Sequence, residues 1–167
     1  MRFKVIGMVA ALALVVSACE TSSGAGGDSS GSGGLKSVQP LPAAAPLTIG
    51  QQFQVDVGDR VFFQFDKFSI DPDQRESLNR QAAWLKKFNS VAITIEGHAD
   101  ERGTREYNLA LGERRANTVK DYLVLQGIDA KRIKTVSYGE ERPVALGSDE
   151  SAWAQNRRAV TVVAGGS

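Results

Sequence analysis

Residues Gly97 to Ala116 read GHADERGTREYNLALGERRA, and this stretch decides the fold around it. Just before it, Val91 to Glu96 (VAITIE) alternates, with Val91, Ile93 and Ile95 on one side, the pattern of a half-buried strand. Gly97 to Gly103 is a polar loop. From about Thr104 to Gln126, Leu111, Ala116, Val119 and Leu123 recur as the apolar stripe of one long helix, which Gly127 is placed to cap. Asp100 falls in the turn. Arg115 follows fifteen positions later, on a helix face that is otherwise apolar. A guanidinium held away from water needs a partner, because an unpaired buried charge is very costly. One acid and one base facing a shared cleft form a receptor for a small zwitterion rather than an obvious catalyst.

The flanking elements extend this unit in both directions. Arg60 to Phe65 (RVFFQF) alternates and reads as a strand ending at Asp66. Asp71-Pro72-Asp73-Gln74 is a helix start, with Asp as N-cap, Pro at the first helical position and Gln where a capping box needs it. Leu78, Ala82, Leu85 and Phe88 then keep helical spacing. Ile133 to Tyr138 is a third strand, Gly139 to Ser148 a polar turn region, Glu150 to Ala154 one helical turn, and Ala159 to Val163 a final strand. The order is β-α-β-α-β-β. It predicts an α/β sandwich with its helices packed on a mixed four-stranded sheet.

The amino terminus carries a different signal. Arg2 and Lys4 precede an apolar run from Val5 to Val16, too short for a membrane span of ~20 residues. It ends Val16-Ser17-Ala18-Cys19, which resembles the bacterial lipobox. Residues 1–18 are therefore expected to be a signal peptide, with Cys19 becoming the acylated amino terminus. Cys19 is the only cysteine, so no intramolecular disulfide can form. Three acyl chains would anchor the chain firmly, at ~0.8 kcal/mol per buried CH2. In proteobacterial lipoproteins Asp after the Cys signals inner-membrane retention. Glu20 implies the outer membrane, facing the periplasm.

Residues 19–51 read as a tether. Glu20 to Gly34 is mostly Gly and Ser and cannot bury enough surface to offset its ordering entropy. Leu35 to Pro46 holds Pro40, Pro42 and Pro46 and should be stiffer. This leash spans ~30 Å as a coil and ~90 Å stretched. Residues 52–167 make one domain, with its ordered part from about Gln52 to Ala164. Of 20 basic residues, Arg2 and Lys4 lie in the signal peptide, leaving 18 against 19 acidic ones. A near-neutral chain without a basic patch excludes a nucleic-acid role.

Four stretches in order carry a family likeness: FDKFSI at Phe65 to Ile70, the quoted segment, VSYGEERPV at Val136 to Val144, and NRRAV at Asn156 to Val160. Across Arg60 to Val163 they resemble the OmpA-like peptidoglycan-binding domain. Arg105 departs from the Pro expected there in many relatives. The resemblance implies non-covalent binding of the peptidoglycan stem peptide through meso-diaminopimelate. Asp100 would pair with its ammonium, and Arg115 would hold its carboxylate in two parallel bonds, which the planar guanidinium suits. Asn108, two helical turns before Arg115 on the same face, would reach the same ligand. Asp66 would add an acceptor, and Phe65, Lys67 and Phe68 would wall the pocket. By their residue types alone, Phe65 and Phe68 fit core or wall equally, and Arg157 or Arg158 fits either the floor of the site or a strand edge.

With lipobox and tether, the chain is similar to the lipoproteins of the Tol envelope system. That implies TolB and other Tol proteins as partners, a share in envelope integrity and cell division, and competition between wall and TolB for one surface. A module whose main work is binding TolB is the alternative. No cofactor is implied. His98 lacks the further ligands a metal would need, and reads as a hydrogen-bonded turn residue titrating with periplasmic pH. There is no GxSxG turn and no glycosidase carboxylate pair, so an enzyme is not expected.

Overall fold

The computed structural model describes residues 46–164. The expected signal peptide, Cys19 and the expected tether as far as residue 45 lie outside the described residues. The sheet runs β1 (Arg60–Phe62), β4 (Arg158–Val163), β2 (Ile93–His98), β3 (Ile133–Gly139) in spatial order. β4 is antiparallel to both its neighbours, while β2 and β3 are parallel. A parallel pair needs a crossover, and α3 (Arg105–Leu125) provides it. Helix α2 (Pro72–Lys87) fills the rest of the layer. Leu78 and Leu85 from α2, Ile93 and Ile95 from β2, and Leu123 from α3 meet in one core. Each such side chain contributes roughly 1.5–3 kcal/mol by leaving water.

The mixed four-stranded sheet with helices packed on it is the architecture expected, but the element order is longer. An unexpected helix, α1 (Ile49–Asp56), precedes β1, starting within the stretch read as tether. Thr48 caps it through a capping box with Gln51. Its one fully buried residue, Phe53, meets Trp84 edge-to-face with ring centroids 4.9 Å apart. Ile49, Phe53 and Val57 keep four-residue spacing and pack on the core, but two turns are too short to hold without that contact, which is remote in sequence. The single turn expected at Glu150 is a full helix, α4 (Glu150–Asn156), between β3 and β4. A short 3-10 turn (Ala130–Arg132) leads into β3.

Three local expectations are corrected. The strand expected to reach Phe65 stops at Phe62; Phe63 N–H still donates to Arg157 O, and the chain then turns through Asp66, whose φ is +56°. Asp71 sits at the N-cap of α2, but its carboxylate accepts from Gln64 Nε2 instead of capping. Gln74 likewise gives its oxygen to Phe62 N–H, stitching β1 to α2 where a capping box was expected.

Helix α3 crosses β2 at backbone contact. A Cβ on Gly97 would lie 1.8 Å from Gly112 O, and one on Gly112 would lie 2.3 Å from Ser137 Oγ and 2.8 Å from Gly97 O. Only glycine fits at either position. This closeness brings the polar residues of α3 down to the end of β2.

His98, expected in a turn, instead closes β2 beside a bulge and is 2% exposed. Among the described residues neither of its ring nitrogens has a hydrogen-bond partner. Its ring stacks on Tyr138 at 5.6 Å, the Arg142 guanidinium covers the other ring at 3.6 Å, and the nearest carboxylate, Glu96, stands 3.8 Å away. Burial, reinforced by Arg158 and Arg142, pushes its pKa down to about 4. The folded protein therefore binds its proton later than the unfolded chain does. Stability should be full above pH ~6.5 and fall by about 3 kcal/mol as pH drops toward 4. Urea unfolding of wild type and His98→Phe across that window checks this: the variant should lose most of the slope, and equal slopes would refute it.

Candidate ligand-binding cleft

Where the β1–α2 loop, the β2–α3 loop and the first turns of α3 converge, they enclose a cleft of about 230 Å³. Asp66 and Asp100, Arg102 and Arg115, Tyr107, Asn108, Phe65 and Leu111 line it. Thr104 starts α3 by accepting from Tyr107 N–H, which aims Tyr107 and Asn108 at the cleft. Of the residues expected at the site, Asp66, Asp100, Asn108, Arg115 and Phe65 are brought together. Phe68 lies outside the lining, half exposed beneath Arg114. Lys67 serves the site through its main-chain carbonyl, not its side chain.

Arg115 is fully buried, and its partner is not Asp100. Its Nε donates to Lys67 O at 2.8 Å, Nη1 to His98 O at 2.7 Å and Nη2 to Gln64 O at 3.2 Å. The planar fork joins the β1–α2 loop, the end of β2 and α3 at one point. Burial lowers its pKa to about 10, with the Asp100 carboxylate opposing and Arg157 adding to the fall. It stays charged at any physiological pH.

Asp100 is paired with two other arginines. Oδ1 accepts from Arg102 N–H and Nε, both at 3.1 Å. Oδ2 accepts from Arg102 Nη2 at 2.7 Å and from Arg157 Nη1 at 3.3 Å. Burial opposes its ionisation, but the Arg102 and Arg157 bonds outweigh that and hold the carboxyl below the usual carboxylate range. Of the two arginines left open by the sequence, Arg157 is the one that reaches the site: it does not line the cleft but holds Asp100 from behind. It also donates to Phe63 O and to Glu150. Arg158 is buried at the edge of the β3–α4 loop, donating to Arg142 O and Asn156 O.

Around this centre, Asn108 donates to Glu140, and the Tyr107 hydroxyl donates to Asp66. Phe65 is exposed (52%), and the Arg102 guanidinium sits 3.9 Å over its ring and 4.0 Å over that of Trp153. Arg102, Trp153 and Glu150 were missed in the sequence. Arg102 had a signal, since an Asp whose side chain accepts from the N–H two residues on is an Asx-turn. Trp153 and Glu150 had none, being some fifty residues from the loop they meet.

A residue that only held ligand could be truncated without harm to the fold, but Arg115 is not one. The truncation would strip Lys67 O and His98 O, in a site largely closed to water, of this donor and leave Gln64 O with the Lys67 N–H alone, at a cost of at least about 2 kcal/mol. Arg115→Lys should recover little, because an ammonium cannot span all three. Guanidinium unfolding curves measure it; a loss below about 1 kcal/mol for Arg115→Ala would contradict the bracing role.

The OmpA family model matches residues 62–157. A peptidoglycan-associated lipoprotein of Agrobacterium fabrum is 58% identical over 127 residues, 75% of this chain and 72% of the relative. The protein of that name from Pseudomonas aeruginosa is 42% identical over 158 residues, 91% of this chain and 94% of the relative. Among solved structures, the peptidoglycan-associated lipoprotein from Burkholderia pseudomallei matches with a TM-score of 0.62 at 47% identity, over 63% of this chain and 89% of that one. The C-terminal domain of Helicobacter pylori MotB, at 22% identity and a TM-score of 0.59, shares the fold. On these matches, and on the sheet and cleft described, the chain belongs to the OmpA family, in its group of peptidoglycan-associated lipoproteins.

Proposed function

We propose that the chain holds peptidoglycan non-covalently through the zwitterionic end of meso-diaminopimelate, and that its lipid end at Cys19 ties this grip to the outer membrane. The observation that carries the reading is the cleft itself: two carboxylates and two guanidiniums gathered in about 230 Å³. That volume suits the terminus of one amino acid, not a sugar chain. Asp100, with Asp66 beside it, takes the ammonium. Arg115 uses three of its five N–H groups on carbonyls, so the two left on its Nη atoms are what it offers the carboxylate. Asn108 and Tyr107 add polar contacts along the same wall. As in its relatives, the work is binding, not catalysis.

Calorimetric titration of the whole protein tests this, with a soluble muramyl pentapeptide carrying meso-diaminopimelate beside the same ligand carrying L-lysine. Lysine lacks the carboxylate that Arg115 would hold. Affinity should fall by at least about tenfold, the ~1.5–3 kcal/mol of a charge-assisted bond. Equal affinities would overturn the assignment.

A second role is favoured by the rim. Phe65 and Tyr107 stand half exposed beside the opening, with Phe68 on the same loop. Aromatic side chains around a concave site suit a protein partner as well as a peptide. TolB, with the other Tol proteins, is the partner proposed for this surface, and the same rim serving both ligands makes them compete. Purified TolB added to protein bound on sacculi should release it in proportion to dose. A stable ternary complex would refute competition.

A further inference from the structure

The pairing of Asp100 bears on how the cleft admits its ligand. A carboxylate offers roughly four acceptor positions, and on Asp100 four donors already use them: three from Arg102 and one from Arg157. An ammonium entering the cleft meets an acid whose acceptors are taken by two guanidiniums and one main-chain N–H of the chain itself. The two arginines differ in how firmly they are held. Arg157 is nearly buried, and its Nε and Nη2 donate to Phe63 O and Glu150, so it cannot leave without breaking both bonds. Arg102 is 29% exposed and reaches Asp100 from the mouth of the cleft.

Arg102 also has a second seat. Its Nη1 lies 3.7 Å from Glu150 Oε2, and its guanidinium is held between the Phe65 and Trp153 rings. Cation–π contacts at such a site keep a guanidinium in place without a carboxylate. A small swing toward Glu150 would free the two positions on Asp100 that the Arg102 side chain takes and keep the charge partnered. Trp153 is itself fixed, its Nε1 donating to Glu101. The components are two carboxylates, one guanidinium that faces both, and an aromatic slot around it.

We propose that Arg102 is an internal competitor for the ammonium subsite, occupying the Asp100 acceptors until the ligand's ammonium displaces it toward Glu150 within the Phe65–Trp153 slot. This rests on the reading of Asp100 as the ammonium acceptor. Arg102 then sets affinity and selectivity: a neutral or acidic ligand end brings no charge to replace the one Asp100 gives up, whereas an ammonium does.

The test is titration of the full chain, wild type and Arg102→Gln, with the diaminopimelate-containing muramyl pentapeptide, beside a melting curve for each. Removing the competitor should tighten binding about fivefold, the scale of one partly exposed ion pair. Arg102→Lys, which keeps the charge but cannot make the bidentate bond, should tighten it less. If Arg102→Gln melts too low to titrate, Arg102→Lys carries the test by the same sign. Unchanged or weaker binding in the folded variant overturns the proposal and assigns Arg102 to ligand contact or support. Failure of wild type to bind would overturn the diaminopimelate reading itself, an outcome the wild-type titration reports separately.

Discussion

The guanidinium of Arg115 holds three carbonyls from two distant stretches, and the geometry of the cleft follows from it. The β1–α2 loop has little else to shape it. Its strand ends early, Asp66 takes a positive φ, and Gln64 O and Lys67 O turn inward. Gln64 O also accepts from Lys67 N–H, but Lys67 O and His98 O, at the end of β2, face a site largely closed to water and need a donor set of matching reach. Arginine supplies five N–H groups in one plane. Placed at the midpoint of α3, it satisfies all three, which is why the loop carrying Phe65 and Asp66 lies over the start of the helix. The glycine pair Gly97 and Gly112 makes that reach possible by letting α3 touch β2.

Charge in the cleft is arranged so that each buried ion is answered by a neighbour. Asp100 lies between Arg102 and Arg157, and Glu150 continues the series outward from both. A pair buried in this way is weak as a source of stability, since desolvation cancels much of the attraction. It is strong as a source of preorganisation. The acid is ionised and oriented, and its solvent has already been replaced by guanidinium before any ligand arrives. His98 lies behind this array and stays neutral, with two arginines nearby and no acceptor for a proton of its own. It acts as an apolar spacer stacked on Tyr138, despite its position two residues from the key acid.

Much of this was legible in the residues. Strands β2, β3 and β4 and helices α2 and α3 show their period plainly, and their ends fell within two residues of the observed ones. The convergence of Asp66, Asp100, Asn108 and Arg115 on one cleft matches the positions picked out by the motifs. Helix α1 was hidden because its spaced residues, Ile49, Phe53 and Val57, cover only two turns and follow directly on a Pro- and Ala-rich stretch. The partners of Arg115 were hidden for a deeper reason: every residue carries a carbonyl, so no side-chain pattern announces which ones will face inward. Lys67 illustrates it, contributing the one atom its identity does not determine.

By itself the sequence determined the class of the fold, through hydrophobic periods that hold whatever the neighbours do, and the chemical types available to the cleft. It also determined the match to a family, because four motifs in order are difficult to meet by chance. Only the tertiary structure decided the pairing. Asp100 and Arg115 look like natural partners along the chain, but packing gives the acid to Arg102 and Arg157 and the base to main-chain oxygens. Electrostatic and hydrogen-bond partners are chosen by distance, over a few ångströms. Those distances are set by how α3, α4 and the β1–α2 loop settle against one another, a result of the whole core and not of any one segment.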